Sequence, residues 1–374
     1  MTNHFHYIED HKGLAEVVTA CQRVPAIAID TEFARTDTYY PIVGLIQIFT
    51  GEECYLIDPL KIDDFSPLAD VLTDPGILKI FHACSEDLEV FSHSLGAIPA
   101  PVFDTQIACA AVGVGFSVGY QAMIEHYLSI TIAKDQTRSD WLARPLTEEQ
   151  LNYAALDVLH LLKVYDLQME ALLSSNRMVW VEEETSELGQ DIPTQAPVDD
   201  FYLKVKGLWQ LDRSQLNELK ILCSWRETTA REQDVPRNRV VDQKSLLTIV
   251  KDGLNSRQAL QAEAGMTSRQ VRKFGDQILL LQEEARLVPE SEHPELVSRT
   301  DAPVNNKKLK RLREVVNETA TRLDIAPELL TKRRHLEKLI RSEDHQGRYH
   351  LPKELAGWRQ SIIGDALVAA LNDH

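Results

Sequence analysis

The 374-residue sequence carries 40 Lys and Arg against 57 Asp and Glu, a formal net charge of −17, with 44% hydrophobic residues. This length holds two or three domains with a sizeable core, while the acidic balance excludes a protein that simply coats nucleic acid, so attraction to any polyanion has to be local. No apolar run is long enough to cross a bilayer, the first residues lack a signal-peptide layout, and five scattered cysteines without a Cys-x-x-Cys pair argue for free thiols and against a zinc site; a cytoplasmic address follows.

In chain order, His11 to Arg23 suits a short amphipathic helix. Ala26-Ile27-Ala28-Ile29 then reads as a buried strand, because a half-exposed strand would alternate. The run ends in Asp30-Thr31-Glu32-Phe33. If the strand continues through Glu32, both carboxylates leave the same face, and two anions held there repel until a cation relieves them. Ile42–Phe49 and Cys54–Asp58, separated by Thr50-Gly51-Glu52-Glu53, read as an antiparallel hairpin.

A helix over Phe65–Leu72 stops at Asp74-Pro75-Gly76, and Ile77–Phe81 forms the next strand. His82-Ala83-Cys84-Ser85 leads into an acid-rich helix start that places Asp87 at a strand-to-helix junction. A strand over Pro99–Asp104 and helical segments to Ile132 complete a mixed α/β unit. Thr147 and Gln150 form a capping box, opening a helix that runs to about Leu173 with Tyr153 and Asp157 on one face.

Between Glu182 and Asp200 lie seven acids, two prolines and no Lys or Arg, a linker signature. The remainder reads as helical and contains a repeat: Leu222, Ala230, Asp234, Val235, Leu246 and Ile249 recur ninety residues later as Leu312, Ala320, Asp324, Ile325, Leu336 and Leu339. Two copies indicate a duplicated helical module rather than a solenoid. The domain expectation is an α/β domain over 1–181, an acidic linker over 182–203, helical modules over 204–288 and 304–374, and a link over 289–303.

Four carboxylates stand out: Asp30, Glu32, Asp87 and Asp157. Carboxylate oxygen suits Mg²⁺ or Mn²⁺, and two such ions can activate water and stabilise a leaving oxygen on phosphorus. Lys307 to Arg341 holds eleven Lys or Arg against five Asp or Glu, densest at Lys332-Arg333-Arg334, a local patch suited to phosphate backbone without sequence readout.

The ordered set Asp30-Thr31-Glu32-Phe33, His82-Ala83-Cys84-Ser85-Glu86-Asp87-Leu88, and Ser139-Asp140-Trp141-Leu142-Ala143-Arg144-Pro145-Leu146 through Tyr153-Ala-Ala-Leu-Asp157 resembles the ribonuclease D family of DEDD 3′→5′ exoribonucleases. The duplicated module resembles the helicase-and-RNase-D C-terminal domain. Together these cover nearly the whole chain.

The resemblance implies an RNase H-like mixed-sheet exonuclease domain followed by two helical-bundle modules. It makes Asp30, Glu32, Asp87 and Asp157 the acids that hold two divalent ions, Mg²⁺ or Mn²⁺. Asp30 would bridge both, Glu32 and Asp157 would serve the water-side ion, and Asp87 would act largely through water on the other. Tyr153 would orient the attacking water, since a phenol with a pKa of about 10 is a poor base at neutral pH. Phe33 by stacking, and Gln47 from the second strand, are candidates for touching the terminal nucleotide.

The expected activity is stepwise removal of 5′-mononucleotides from RNA 3′ ends by a monomer, with tRNA precursors as the implied substrate. A 3′→5′ DNA exonuclease of proofreading type, and a catalytically inactive nucleic-acid-binding scaffold, are the alternatives.

Overall fold

The computed structural model describes residues 4–132, 139–190, 192, 196–297 and 304–372. They form two compact units, one from the described parts of 1–34, 43–192 and 303–374, the other from those of 35–42 and 193–302.

The first unit is built on β1 (His6–Ile8), β2 (Ala26–Ala34), β3 (Ile42–Phe49), β4 (Cys54–Ile57), β5 (Leu78–Phe81) and β6 (Val102–Asp104). These make one sheet in the order β1-β4-β3-β2-β5-β6. β3 and β4 pair antiparallel with Ile46 opposite Ile57, whereas β1/β4, β2/β5 and β5/β6 are parallel. The sheet is therefore mixed, as the fold expectation requires. β1 escapes a sequence reading because three residues are too few to show a period.

Helices α1 (His11–Cys21), α2 (Ser66–Thr73), α3 (Ser85–Ser94), α4 (Thr105–Ala111), α5 (Tyr120–Leu128), α6 (Glu148–Leu159), α7 (Leu161–Ser175) and α8 (Met178–Gln190) complete the α/β part. The helix expected to run unbroken to Leu173 divides at His160. Alternation along β2 sorts its side chains between two apolar layers. Ile27 and Ile29 join Ile46 and Ile48, while Ala28 joins Leu45, Leu56, Ala154, Val158 and Leu161 on the side of α6 and α7. By the same alternation Asp30 and Glu32 face α6.

The acidic stretch from Glu182 is not an open linker over its first half, since α8 extends to Gln190 with Trp180, Val181 and Thr185 buried. Its acids have partners: Glu183 accepts from the Trp358 backbone N–H at 2.9 Å, and Glu184 accepts from the Trp358 indole and from Arg359 Nη2, each at 2.9 Å. Trp180 stacks on Trp358 with centroids 4.4 Å apart. At Gly113 (φ +86°) an added Cβ would lie 2.2 Å from the Asp324 carbonyl, so a side chain there would drive the two segments apart. The second helical module is thus part of the same compact unit as the sheet, where composition suggests a separate domain. Of the expected links, residues 191, 193–195 and 298–303 lie outside the described residues.

The second unit contains α9 (Arg213–Glu232), α10 (Arg237–Val240), α11 (Gln243–Asp252), α12 (Arg257–Ala262) and α13 (Ser268–Leu287). The connection between β2 and β3 belongs to it. Tyr39 is 3% exposed and donates its hydroxyl to Glu227, which also pairs with Arg231 at 3.1 Å and Arg237 at 2.5 Å. Asp234 accepts the backbone N–H of Tyr39 and of Tyr40, both at 3.0 Å.

The repeat is visible in the backbone. α14 (Asn306–Leu323), α15 (Pro327–Leu330) and α16 (Arg333–Arg341) follow the order of α9, α10 and α11, before α17 (Asp365–Asn372) ends the module. Asp234 and Asp324 each turn the chain in the left-handed region, φ 46° and 52°, a conformation that aspartate tolerates better than most residues.

One buried ion pair anchors the loop before α6. Arg144 donates to both Asp58 oxygens at 2.6 and 2.7 Å, to the Gly44 carbonyl at 2.7 Å and to the Trp141 carbonyl at 2.9 Å. Burial alone would raise the Asp58 carboxyl, but hydrogen bonds from Arg144 and Tyr7 hold it below its usual value. Arg144→Ala leaves that carboxylate buried without its counterion and should cost about 3–5 kcal/mol of unfolding free energy in urea titrations; a loss under about 1 kcal/mol would mean that the pair is dispensable. Because the folded carboxyl titrates below its unfolded value of about 3.9, this stabilisation is full above that pH and fades as the pH falls through the folded pKa. The acid-side loss should be smaller in the variant.

Candidate active site

The site starts from β2. Asp30 and Glu32, two residues apart, leave the strand toward α6, where Asp157 projects one turn after Tyr153. One carboxylate oxygen from each of Asp30, Glu32 and Asp157 lies within 4.8 Å of the others. Asp87, in the first turn of α3, is buried beside them and accepts a 2.5 Å hydrogen bond from the Thr31 hydroxyl. All four expected acids therefore converge, but one oxygen of Asp87 is already engaged by Thr31. That threonine sits between the two acids on the opposite side of the strand, so the strand carries its own anchor for the fourth carboxylate.

Removal from water shifts all four groups upward, and repulsion within the cluster adds to it at Asp30 and Glu32. Burial, then the charges of Asp87, Asp157 and Glu32, hold the Asp30 carboxyl well above the usual range. Burial, then Asp157 and Asp87, push Glu32 up to about 9. Burial likewise raises Asp87 and Asp157 to about 7, against the opposing hydrogen bonds from Thr31 and Tyr153 respectively. A cluster of this kind binds protons or a cation. The donor set is all oxygen and the three close oxygens can converge on one centre, so the residues fit a hard divalent ion.

Tyr153 donates its hydroxyl to Asp157. Burial and then the Asp157 and Glu32 charges raise its pKa, so the phenol keeps its proton at neutral pH. The Trp141 ring lies against it, centroids 6.1 Å apart. Trp141 is held there by Arg144 and by Gly44, where an added Cβ would be 2.6 Å from the Trp141 carbonyl oxygen. The capping box of Thr147 and Gln150 closes the arrangement, with the Gln150 amide donating to the Asp140 carbonyl at 3.2 Å.

Two further residues escape a reading of the sequence. Asp104 ends β6, accepts the N–H groups of Ala83 and Cys84 at 3.1 and 2.8 Å, and caps α4. It thereby shapes the turn, with Ala83 at φ 61°, that delivers Asp87. Its only sequence signal is an acid before a helix start. Tyr120 lies half-buried near Asp157 and Asp30 and donates to the Leu156 carbonyl at 2.5 Å, a placement that no local pattern announces.

The other candidates separate. Phe33 alternates to the opposite face of β2 and packs with the Ile27 and Ile29 layer, away from the acids. Gln47 is fully buried on β3, and neither amide atom has a hydrogen-bond partner among the described residues; alternation with Leu45 and Phe49 puts it in the layer facing α6. His82 bonds Thr105 at 2.9 Å. Lys332, Arg333 and Arg334 are exposed at the start of α16, and Arg333 pairs with Glu337 at 2.7 Å. No helix among the described residues is long and apolar enough to cross a membrane.

Comparison with known proteins agrees with this geometry. Residues 5–172 match the 3′-5′ exonuclease family, 215–281 the HRDC domain, and 303–367 the C-terminal HRDC domain of ribonuclease D. The chain is 41% identical to ribonuclease D of Pseudomonas paraeruginosa over 365 residues, covering 98% of this chain and 97% of the relative. It is 36% identical to that of Escherichia coli over 372 residues, 99% of each. The crystal structure of Escherichia coli RNase D, described as an exoribonuclease involved in structured RNA processing, superposes with a TM-score of 0.91 at 35% identity over 100% of both chains. The chain is a 3′-5′ exoribonuclease that acts on RNA with the help of divalent metal, and it belongs to the ribonuclease D family.

Proposed function

We propose that this protein trims structured RNA from the 3′ end one nucleotide at a time, releasing 5′-mononucleotides, and that tRNA precursors with extra 3′ residues are its substrates. The reading rests chiefly on the convergence of Asp30, Glu32 and Asp157 oxygens within 4.8 Å of one another, beside Asp87 and Tyr153. It assigns a pair of Mg²⁺ or Mn²⁺ ions to Asp30, Glu32, Asp87 and Asp157, and a soluble, monomeric, cytoplasmic protein. The ions, when bound, supply Lewis acidity for an attacking water and for the leaving 3′ oxygen.

The chain's own groups do the rest. Asp30, Glu32 and Asp157 would hold the ions as carboxylates, and the Thr31 bond keeps Asp87 turned toward them. Tyr153, held protonated, uses its hydroxyl to orient the water for in-line attack on the terminal phosphodiester and does not remove a proton. Trp141 fixes the phenol ring. Lys332, Arg333 and Arg334 bind phosphates of the RNA body without reading sequence. Gln47 steadies the site from within the layer below, while the packing of Phe33 favours a structural role over base stacking.

The test of the reading is 5′-labelled RNA with a free or phosphate-blocked 3′ end, incubated with Mg²⁺ or EDTA. A ladder that shortens from the free end alone, and only with metal, is expected; no shortening under any divalent metal overturns it. Asp30→Asn should abolish cleavage with the fold retained by circular dichroism, and wild-type turnover in that variant would sink the metal assignment. Tyr153→Phe should lower single-turnover rates roughly 10²- to 10³-fold, the scale of losing one positioned donor, with little change in RNA affinity. Alanine at Lys332, Arg333 and Arg334 should weaken binding and flatten the salt dependence by about 0.7 in slope for each phosphate that is no longer neutralised; an unchanged slope would return the cluster to a solvated face.

A further inference from the structure

At the free edge of the sheet a second group of metal-ligating side chains stands apart from the acids, built from residues the nuclease reaction does not use. We propose that His4, His6 and Glu53 form a surface site for a borderline transition-metal ion, Zn²⁺ in particular, which staples the edge strand β1 to the hairpin that opens β4. Strand register produces the grouping. β1 pairs parallel to β4 with His6 opposite Tyr55, so the same offset sets His4 opposite Glu53, and His4 and His6, two residues apart, leave the same face.

The donor atoms are close. One ligand atom from each of the three lies within 4.8 Å of the others, and His6 Nε2 is 2.7 Å from a Glu53 oxygen. Bond lengths of about 2.0–2.2 Å place neighbouring zinc ligands somewhat over 3 Å apart, which exposed rings reach by small rotations. The two imidazoles lie edge to face with centroids 5.2 Å apart, and His6 is braced on the Tyr55 ring at 5.5 Å. Glu53 is held by its turn: the Thr50 N–H donates to the Glu53 carbonyl at 3.1 Å, and the Glu53 N–H to the Thr50 hydroxyl at 3.3 Å.

Ligand chemistry separates this group from the active site. Two imidazoles and one carboxylate favour Zn²⁺, Ni²⁺ or Cu²⁺, whereas an all-carboxylate set favours Mg²⁺ or Mn²⁺. Three protein ligands leave the remaining position to water. With His6 and Glu53 side chains 45% and 46% exposed, the ion has direct access from solvent. Without an ion the contact is a single exposed hydrogen bond between His6 and Glu53, so a metal makes the difference to the edge.

The experiment uses the untagged full chain, stripped with EDTA, dialysed, and held in excess Mg²⁺ so that the acid cluster is filled. ZnCl₂ is then titrated by calorimetry, with thermal unfolding followed in parallel. Wild type should bind one zinc that both His4→Ala and His6→Ala bind at least about tenfold more weakly, a scale set by the loss of even an outer-shell partner. Zinc should also raise the unfolding temperature of wild type and leave those of the variants unchanged. Both substitutions are on the surface, and circular dichroism checks that the fold is kept. Equal zinc binding by wild type and either variant, or no zinc-dependent rise in the wild-type melting temperature, overturns the proposal.

Discussion

Three half-buried carboxylates whose oxygens lie within 4.8 Å of one another resist joint ionisation without a compensating positive charge, and the nuclease part of this protein is arranged around that constraint. Burial raises every member of the cluster, and repulsion from the neighbouring carboxylates adds to it at Asp30 and Glu32. In a solvated setting the same residues would spread apart and titrate normally. What suits them to hold a metal ion is that the sheet and α6 keep them together. The cost falls on the fold, and the cation that offsets it is the one the chemistry needs.

The scaffold meets the constraint through short-range locks rather than a single large one. Thr31 ties Asp87 to the strand that carries Asp30 and Glu32. Asp104 pins the turn from which α3 departs. Arg144, in the loop before α6, clamps Asp58, Gly44 and Trp141 at once, and so links the hairpin to the ring beside Tyr153. Each lock is a charged or hydroxyl group satisfying buried polar atoms, where a missing partner costs more than the bond itself is worth. A site held this way keeps its geometry before substrate arrives.

The duplicated helical modules show how one template acquires two roles. Both use an aspartate in the left-handed region between the first two helices. In the first module Asp234 binds the segment that joins β2 to β3, so the chain leaving the catalytic strand is an integral piece of that module's core. In the second, the Asp324 carbonyl lies against Gly113, and Trp358 and Arg359 engage α8. The basic excess lies in the second copy, which belongs to the same compact unit as the acids.

Local patterning determined much of this protein by itself. The apolar run into Asp30 and Glu32, the acid-rich start of α3, the capping box before Tyr153 and Asp157, and the ninety-residue repeat are all effects of near neighbours, which period and capping report directly. The four acids and the tyrosine could be proposed from the sequence because these patterns place each on its element and the family resemblance groups them. Tertiary structure alone decided the rest. That Glu183 and Glu184 serve Trp358 and Arg359 instead of solvating a linker, that Tyr39 completes a helical core nearly two hundred residues away, and that Phe33 turns from the acids while Thr31 turns to Asp87 depend on partners brought together only by folding. The physical reason is range: a helix cap or a strand period is written within a few residues, whereas the partner of a buried charge is chosen by the packing of the whole unit.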